Sequence, residues 1–146
     1  MKVYLGADHA GFKLKEQIKR FLDECGFPYE DLGALKLNKN DDYPIYAAKV
    51  GKKVASEKTF GLLFCGSSYG ICIAANKIKG VRAVTVSDVE SARLTRLHND
   101  ANVLCLSGWN TSLSKAEKIV KVFLTTMFSK EGRHARRINE IKHLEK

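Results

Sequence analysis

Val3-Tyr4-Leu5-Gly6-Ala7, ending in Asp8-His9 and followed by Leu14, Ile18, Phe21, Leu22 and Cys25, is the stretch on which the fold turns. Five consecutive residues without a charge leave no solvent face, which predicts a strand covered on both sides. The next apolar residues fall at i, i+4, i+7, i+8 and i+11, one stripe of a helix, and Gly26 supplies its stop. A buried strand leading straight into a helix is the opening of a parallel strand-helix-strand unit.

The same alternation recurs along the chain. Tyr29 to Leu32 reads as a weaker strand, and Ala47, Val50, Gly51, Val54 and Ala55 form a helical stripe that begins near Asp42-Tyr43-Pro44. Phe60 to Phe64, Arg82 to Val86 and Asn102 to Leu106 are the remaining strands, with helices over Ile71 to Ile78 and about Val89 to Leu97 between them. A helix opened by a capping box, Ser114 with Glu117, buries Ile119, Val120, Phe123, Leu124 and Met127; a last helix runs from Arg133 to Leu144. These elements predict an α/β protein: a three-layer Rossmann-like fold with a five-stranded parallel sheet and helices on both faces. The 2 prolines and the absence of a Gly/Ser-rich tract or repeat mark no linker, so residues 1–146 are expected to form a single domain.

Composition narrows the function classes. With 45% hydrophobic residues in 146, the chain can bury a core, which excludes a disordered or fibrous protein. The formal net charge of +9 invites a nucleic-acid reading, but the cations (Lys13, Lys15, Lys19, Arg20; Lys49, Lys52, Lys53) are scattered among acids. Only the last eighteen residues are dense, with six basic against three acidic, so no nucleic acid is expected and a few C-terminal cations are assigned to an anionic substrate. Cys25, Cys65, Cys72 and Cys105 form no C-x-x-C pair and no His cluster stands at metal spacing. No apolar run approaches the roughly 20 residues needed to span a bilayer, and the N-terminus carries no secretory apolar region. A soluble cytoplasmic protein with reduced thiols and no metal is the expectation.

In a sheet of this kind ligands bind outside the carboxyl ends of the strands, which selects four turns: Asp8 to Gly11, Cys65 to Gly70, Ser87-Asp88 and Ser107-Gly108-Trp109. In the second, a thiol at a strand tip is followed by Gly66, Ser67, Ser68 and Gly70, small residues that let backbone amides converge on one point. Such a nest holds an oxyanion and favours the thiolate of a nearby cysteine, making Cys65 a candidate base or nucleophile. The residues alone leave Cys65 divided between that role and a plain buried strand end. The loop is neither G-x-G-x-x-G nor a P-loop, so dinucleotides and nucleoside triphosphates are not indicated. Asp8 and His9 share the same edge, where His9 can meet an anion. His98-Asn99-Asp100 precedes the fifth strand and belongs to the opposite edge, about 17 Å away. His98 is then either a surface helix-end histidine or part of a neighbouring subunit's site. Arg133 and Arg137, four apart, share one helix face as two-point phosphate recognition needs.

Over nearly its whole length the chain resembles the type B ribose-5-phosphate isomerases, a family that includes galactose-6-phosphate isomerase subunits. The resemblance is carried by Gly6-Ala7-Asp8-His9-Ala10-Gly11-Phe12, Asp42-Tyr43-Pro44, Cys65-Gly66-Ser67 with Gly70-Ile71, Ile73-Ala74-Ala75-Asn76-Lys77, Arg82-Ala83, His98 to Leu104, and Gly132-Arg133-His134 with Arg137. It implies a cofactor-free aldose–ketose isomerase that interconverts ribose 5-phosphate and ribulose 5-phosphate through an enediolate. Cys65 would be the base, Ser67 and the loop through Gly66, Ser68 and Gly70 would hold the enediolate oxygens, and Asp8 a sugar hydroxyl. His98 would open the furanose ring with Asn99 nearby, His9, Arg133 and Arg137 would bind phosphate, and Tyr43 would line the sugar pocket. The resemblance also implies a homodimer or dimer of dimers with the site shared between subunits. Two departures stand out: Ser68 where many members have Gly, and Trp109 where many have an Arg counted among the phosphate ligands. The glutamate that serves some members as base has no counterpart, since Ile71 occupies its position. A hexose-phosphate isomerase acting on allose or galactose 6-phosphate is the rival within the class. A non-catalytic phosphosugar or nucleic-acid binder is the rival outside it.

Overall fold

A computed structural model describes residues 1–145. In chain order it contains β1 (Val3–Ala7), α1 (Phe12–Cys25), β2 (Tyr29–Asp31), α2 (Tyr43–Glu57), β3 (Phe60–Cys65), α3 (Tyr69–Ala75), β4 (Ala83–Thr85), α4 (Val89–Asn99), β5 (Val103–Ser107), α5 (Leu113–Thr125) and α6 (Gly132–Leu144). The strands form one parallel sheet in the order β2-β1-β3-β5-β4. The expected architecture is the observed one.

Alternation along each strand explains the three layers. Val3, Leu5, Ala7, Leu62, Phe64, Leu104 and Leu106 point to one face, where Leu14, Ile18 and Leu22 of α1, Ala92 of α4 and Ile119 and Phe123 of α5 cover them. Tyr4, Leu63, Cys65, Val103 and Cys105 point to the other, against Val50 and Val54 of α2 and Ile71 and Ala75 of α3. Both faces are dry, so the strands read as continuous apolar runs rather than alternating ones. Gly26, with φ of 74°, ends α1 in the left-handed conformation that glycine adopts without steric cost.

Most strand and helix ends shift by one or two residues from the sequence reading, and three differences change what a residue does. The cap of α5 is Ser112, whose hydroxyl accepts from the Lys115 backbone N–H at 3.3 Å, not Ser114 with Glu117. Beginning the helix at Leu113 places Ser114 inside its first turn. Because α5 ends at Thr125, Met127 leaves the buried stripe and is 76% exposed. Helix α3 starts at Tyr69 and stops at Ala75; Asn76 then ties the chain to β4 through its amide, donating to the Ala83 carbonyl at 2.9 Å and accepting the Ala83 N–H at 2.8 Å. No helix among the described residues is long and apolar enough to cross a membrane.

Candidate active site

The strand order reverses between β1 and β3, and an open parallel sheet leaves a crevice at such a point, above the carboxyl ends of its strands. Ala7 and Phe64 are register partners there, so Asp8 and Cys65 emerge side by side. The chain approaches itself closely at this edge. A Cβ on Gly11 would overlap the Phe64 carbonyl and lie 2.6 Å from the Phe64 Cβ, and one on Gly108 would overlap the Ala10 carbonyl. The carboxyl ends of β1, β3 and β5 thus meet backbone against backbone.

Cys65 is 4% exposed. Burial pushes its thiol up from its ordinary value, while the backbone N–H groups of Ile71, Ser68 and Ser67 pull it down and the Asp8 carboxylate pushes it up again. The amide nest is therefore present as expected, but the net lowering expected from it is not, because desolvation of the thiolate outweighs three peptide dipoles. The nest itself is built by Ser68, whose φ of 73° turns the chain into α3. Its hydroxyl donates to Thr85 Oγ1 at 3.1 Å, anchoring a conformation that a non-glycine residue adopts at some steric cost. Ser67 Oγ accepts from the Tyr69 N–H at 3.3 Å.

Around this nest stand Tyr43 and Trp109. A Cβ on Gly70 would lie 2.6 Å from the Tyr43 hydroxyl, so the phenol rests directly on the loop. A Cβ on Gly66 would lie 2.8 Å from Cη2 of Trp109, whose indole covers Gly66 while remaining 72% exposed. The Trp109 turn is fastened to the loop by the Gly108 N–H to the Cys65 carbonyl, 2.8 Å, and the Trp109 N–H to the Gly66 carbonyl, 3.2 Å.

Asp8 is buried and its Oδ1 accepts the N–H groups of Ala10 and Gly11 at 3.0 and 3.1 Å; desolvation is the main reason its carboxyl is raised. His9 is half-exposed and is held by a residue the sequence reading gave no role. Asp41 Oδ1 accepts from the His9 backbone N–H at 3.0 Å and pairs with Nδ1 at 2.9 Å, while its Oδ2 accepts the Tyr46 hydroxyl at 3.1 Å. Asp41 lies in the polar run Asn38 to Asp42, where an acid beside a helix start reads as a cap, and only the tertiary fold shows that it faces His9. The ligand atoms of Asp8, His9 and Asp41 lie within 4.8 Å of one another, the one grouping among the described residues that could hold a metal ion.

The Asp41 hydrogen bond raises the His9 imidazole above its ordinary value. A raised value keeps the cation present to higher pH, so an anion held by His9 is lost only as pH rises through that value. For Asp41→Asn this loss is expected at lower pH than in the wild type. The measurement is KM for a sugar phosphate between pH 6 and 9; coincident profiles would remove Asp41 from this role.

The other half of the expected site lies elsewhere. His98 and Asn99 end α4, at the amino edge of the sheet, and β5 separates them from the Cys65 edge by about 17 Å. His98 stacks on His134 of α6, with ring centroids 4.4 Å apart and planes 16° from parallel. The His134 Nε2 has no hydrogen-bond partner among the described residues, and burial, together with His98 and Arg133, lowers its imidazole. Arg133 and Arg137 lie on the same first turns of α6, both exposed. The candidate residues of one chain therefore divide into two groups: Asp8, His9, Tyr43, Cys65, Gly66, Ser67, Ser68 and Gly70 at one edge, and His98, Asn99, Arg133 and Arg137 at the other.

The Ribose/Galactose Isomerase family profile matches residues 3–141. The chain belongs to the ribose/galactose isomerase family. It is 44% identical over 146 residues to the probable ribose-5-phosphate isomerase B of Mycoplasma genitalium, covering 99% of this chain and 95% of that one. Against the ribose-5-phosphate isomerase B of Mycolicibacterium paratuberculosis it is 41% identical, covering 100% of this chain and 92% of the relative. The crystal structure of the Mycoplasma genitalium enzyme with bound ribulose-5-phosphate superposes with a TM-score of 0.94 at 42% identity, over 99% of this chain and 95% of that one. Within this family fold, Trp109 and Ser68 stand on the two loops that meet at Cys65, so both departures noted in the sequence fall at the candidate site rather than on the periphery.

Proposed function

We propose that this member of the ribose/galactose isomerase family interconverts ribose 5-phosphate and ribulose 5-phosphate, with Cys65 as the base. The observation that carries the reading is the position of Cys65 at the β1/β3 crevice, beneath the N–H groups of Ser67, Ser68 and Ile71 and beside Asp8. The Cys65 thiolate takes the proton from C2 of the open-chain aldose and returns it to C1. Negative charge that builds on the sugar oxygens is met by the loop amides and Ser67, preorganised donors worth most where water is excluded. Asp8 orients a sugar hydroxyl, and Tyr43 walls the pocket over Gly70. The base must be ionised, and a buried thiol with a raised value is a stronger base once it is.

Ring opening needs a proton moved from the anomeric hydroxyl to the ring oxygen, a step suited to His98 with Asn99 alongside. Phosphate is held by His9 with Arg133 and Arg137. Since these residues divide between opposite edges of the sheet, the proposal requires a second copy of the chain, a homodimer or dimer of dimers in which each site takes one edge from each subunit. The four cysteines are all free among the described residues, in keeping with a cytoplasmic enzyme.

Mixing Cys65→Ala with His98→Ala under subunit exchange is expected to restore about a quarter of wild-type turnover, because one site in each mixed dimer is intact. No recovery despite exchange verified by mass would rule out the shared site. Trp109 favours a second reading, a hexose phosphate substrate, since an indole stands at the site where a phosphate-binding arginine was expected. Comparing kcat/KM for ribose 5-phosphate, allose 6-phosphate and galactose 6-phosphate decides between them; the pentose is expected to be preferred.

A further inference from the structure

We propose that Thr85, on the edge strand β4, is a positioning residue for the isomerase reaction: its hydroxyl clasps Ser68 and so fixes the turn that carries the Cys65–Gly70 loop into α3. The proposal rests on the isomerase reading above and adds to it a residue that lies outside the four turns at the site.

Ser68 combines two demands. Its backbone is left-handed, with φ of 73° and ψ of −14°, where a Cβ crowds the following carbonyl and glycine alone is at ease. Its side chain is fully buried, so the hydroxyl cannot turn to water. Thr85 answers both at once. The Ser68 hydroxyl donates to Thr85 Oγ1 at 3.1 Å, and the Thr85 hydroxyl donates to the Ser68 carbonyl at 3.4 Å. A single hydroxyl thereby fixes the side chain and the peptide plane of the same residue.

The clasp completes a set of ties that leave the loop one conformation. On one side, the turn after β5 holds Cys65 and Gly66: the Gly108 N–H donates to the Cys65 carbonyl, and the Trp109 N–H and the Ser107 hydroxyl donate to the Gly66 carbonyl at 3.2 and 2.5 Å. On the other side, β4 holds Ser68. Ser67 spans these two anchors, so the direction of its N–H and hydroxyl is set by both. The Ser68 carbonyl also accepts the Cys72 N–H at 3.2 Å, which places the clasp on the first turn of α3. At the far end of α3, Asn76 bonds Ala83 of the same strand in both directions. Without the Thr85 hydroxyl, Ser68 keeps a buried hydroxyl with no partner in a turn that already resists its side chain. Rotation of the turn out of the left-handed region relieves both, and it swings the loop N–H groups away from the crevice. Glycine at position 68 would have neither demand.

A double-mutant cycle tests this. Thr85→Val keeps the branched shape and loses the hydroxyl. It is expected to lower kcat for ribose 5-phosphate about tenfold with KM within about twofold, since loop donors act on charge that develops in the transition state. Thr85→Ser, which keeps the hydroxyl, is expected to retain most of the wild-type kcat. In a Ser68→Gly background, adding Thr85→Val is expected to change kcat by less than about twofold relative to Ser68→Gly alone. Equal losses in the two backgrounds would mean that Thr85 acts only through the packing of β4, and they overturn the proposal, as does a wild-type kcat in Thr85→Val. Hydrogen exchange at the backbone amides of residues 66–72, read by mass spectrometry, is independent of turnover. Exchange is expected to quicken about tenfold in Thr85→Val and to stay level when the same change is made beside Ser68→Gly. Exchange unaltered by Thr85→Val also overturns the proposal. Exchange that responds as expected in a protein with no turnover of ribose 5-phosphate sinks the isomerase reading, not the clasp.

Discussion

Cys65→Ala is expected to lower turnover of ribose 5-phosphate by about 10³-fold, within the range that a positioned general base contributes. The loss is expected on kcat, because the proposed base acts only on a proton that moves in the chemical step and the variant leaves Asp8, His9 and Tyr43 in place. The fold should survive, since a small apolar residue at the end of β3 fills most of the same space between Ile71 and the loop. Cys65→Ser is expected to be nearly as slow, as a hydroxyl holds its proton far more tightly than a thiol. In the wild type, kcat/KM is expected to rise with pH through neutrality, because burial holds the thiol above its ordinary value and only the ionised form is a base. A folded Cys65→Ala with wild-type turnover would sink the assignment, and a pH profile already flat at pH 7 would contradict the raised thiol.

Gly11→Ala is the change expected to damage the fold most. The position has no room: an added methyl runs into the Phe64 carbonyl and Cβ, groups held in the central strand of the sheet, and Gly108 leans on the same spot from β5. Neither obstacle is the flexible end of a side chain, so relief requires β1 and β3 to part at their carboxyl ends. A cost of about 3 kcal/mol follows from overpacking of this kind. For a chain of this length that corresponds to a fall of roughly 10 °C in Tm. Calorimetry on the purified variant checks it; a shift under about 3 °C would mean that the edge is more pliable than its packing implies. Activity should fall further than stability, because Asp8 and Cys65 are spaced by this contact.

The architecture was legible because its determinants are local. Apolar runs without alternation specify strands buried on both faces, and the stripes beginning at Leu14 and Ala47 specify the helices that bury them. Where neighbouring residues compete for one role, local reading failed: Ser112 and Ser114 both qualify as a cap, and only the start of α5 at Leu113 decides between them. At the candidate site, the loop from Cys65 to Gly70 was singled out by small residues at a strand tip, and the structure places it at the β1/β3 crevice. Asp41 did not announce itself, because its partner lies 32 positions away and nothing in its own neighbourhood distinguishes it from a turn residue. The state of the Cys65 thiol was also beyond sequence, since it depends on a balance between amides that a motif reveals and a depth of burial that it does not. His134, noted within the motif Gly132-Arg133-His134, gained a place only when α6 was seen to lay its ring on that of His98.

On the proposed function, the division of the candidate site residues between the two ends of one sheet has a consequence for the cell. If each site draws on both edges as proposed, an isolated copy, however well folded, owns two incomplete pieces, and pairing about a two-fold axis would complete both at once. Activity of such a dimer would scale with the square of chain concentration when copies are scarce and linearly once they are abundant, so dilution alone would silence it without unfolding it.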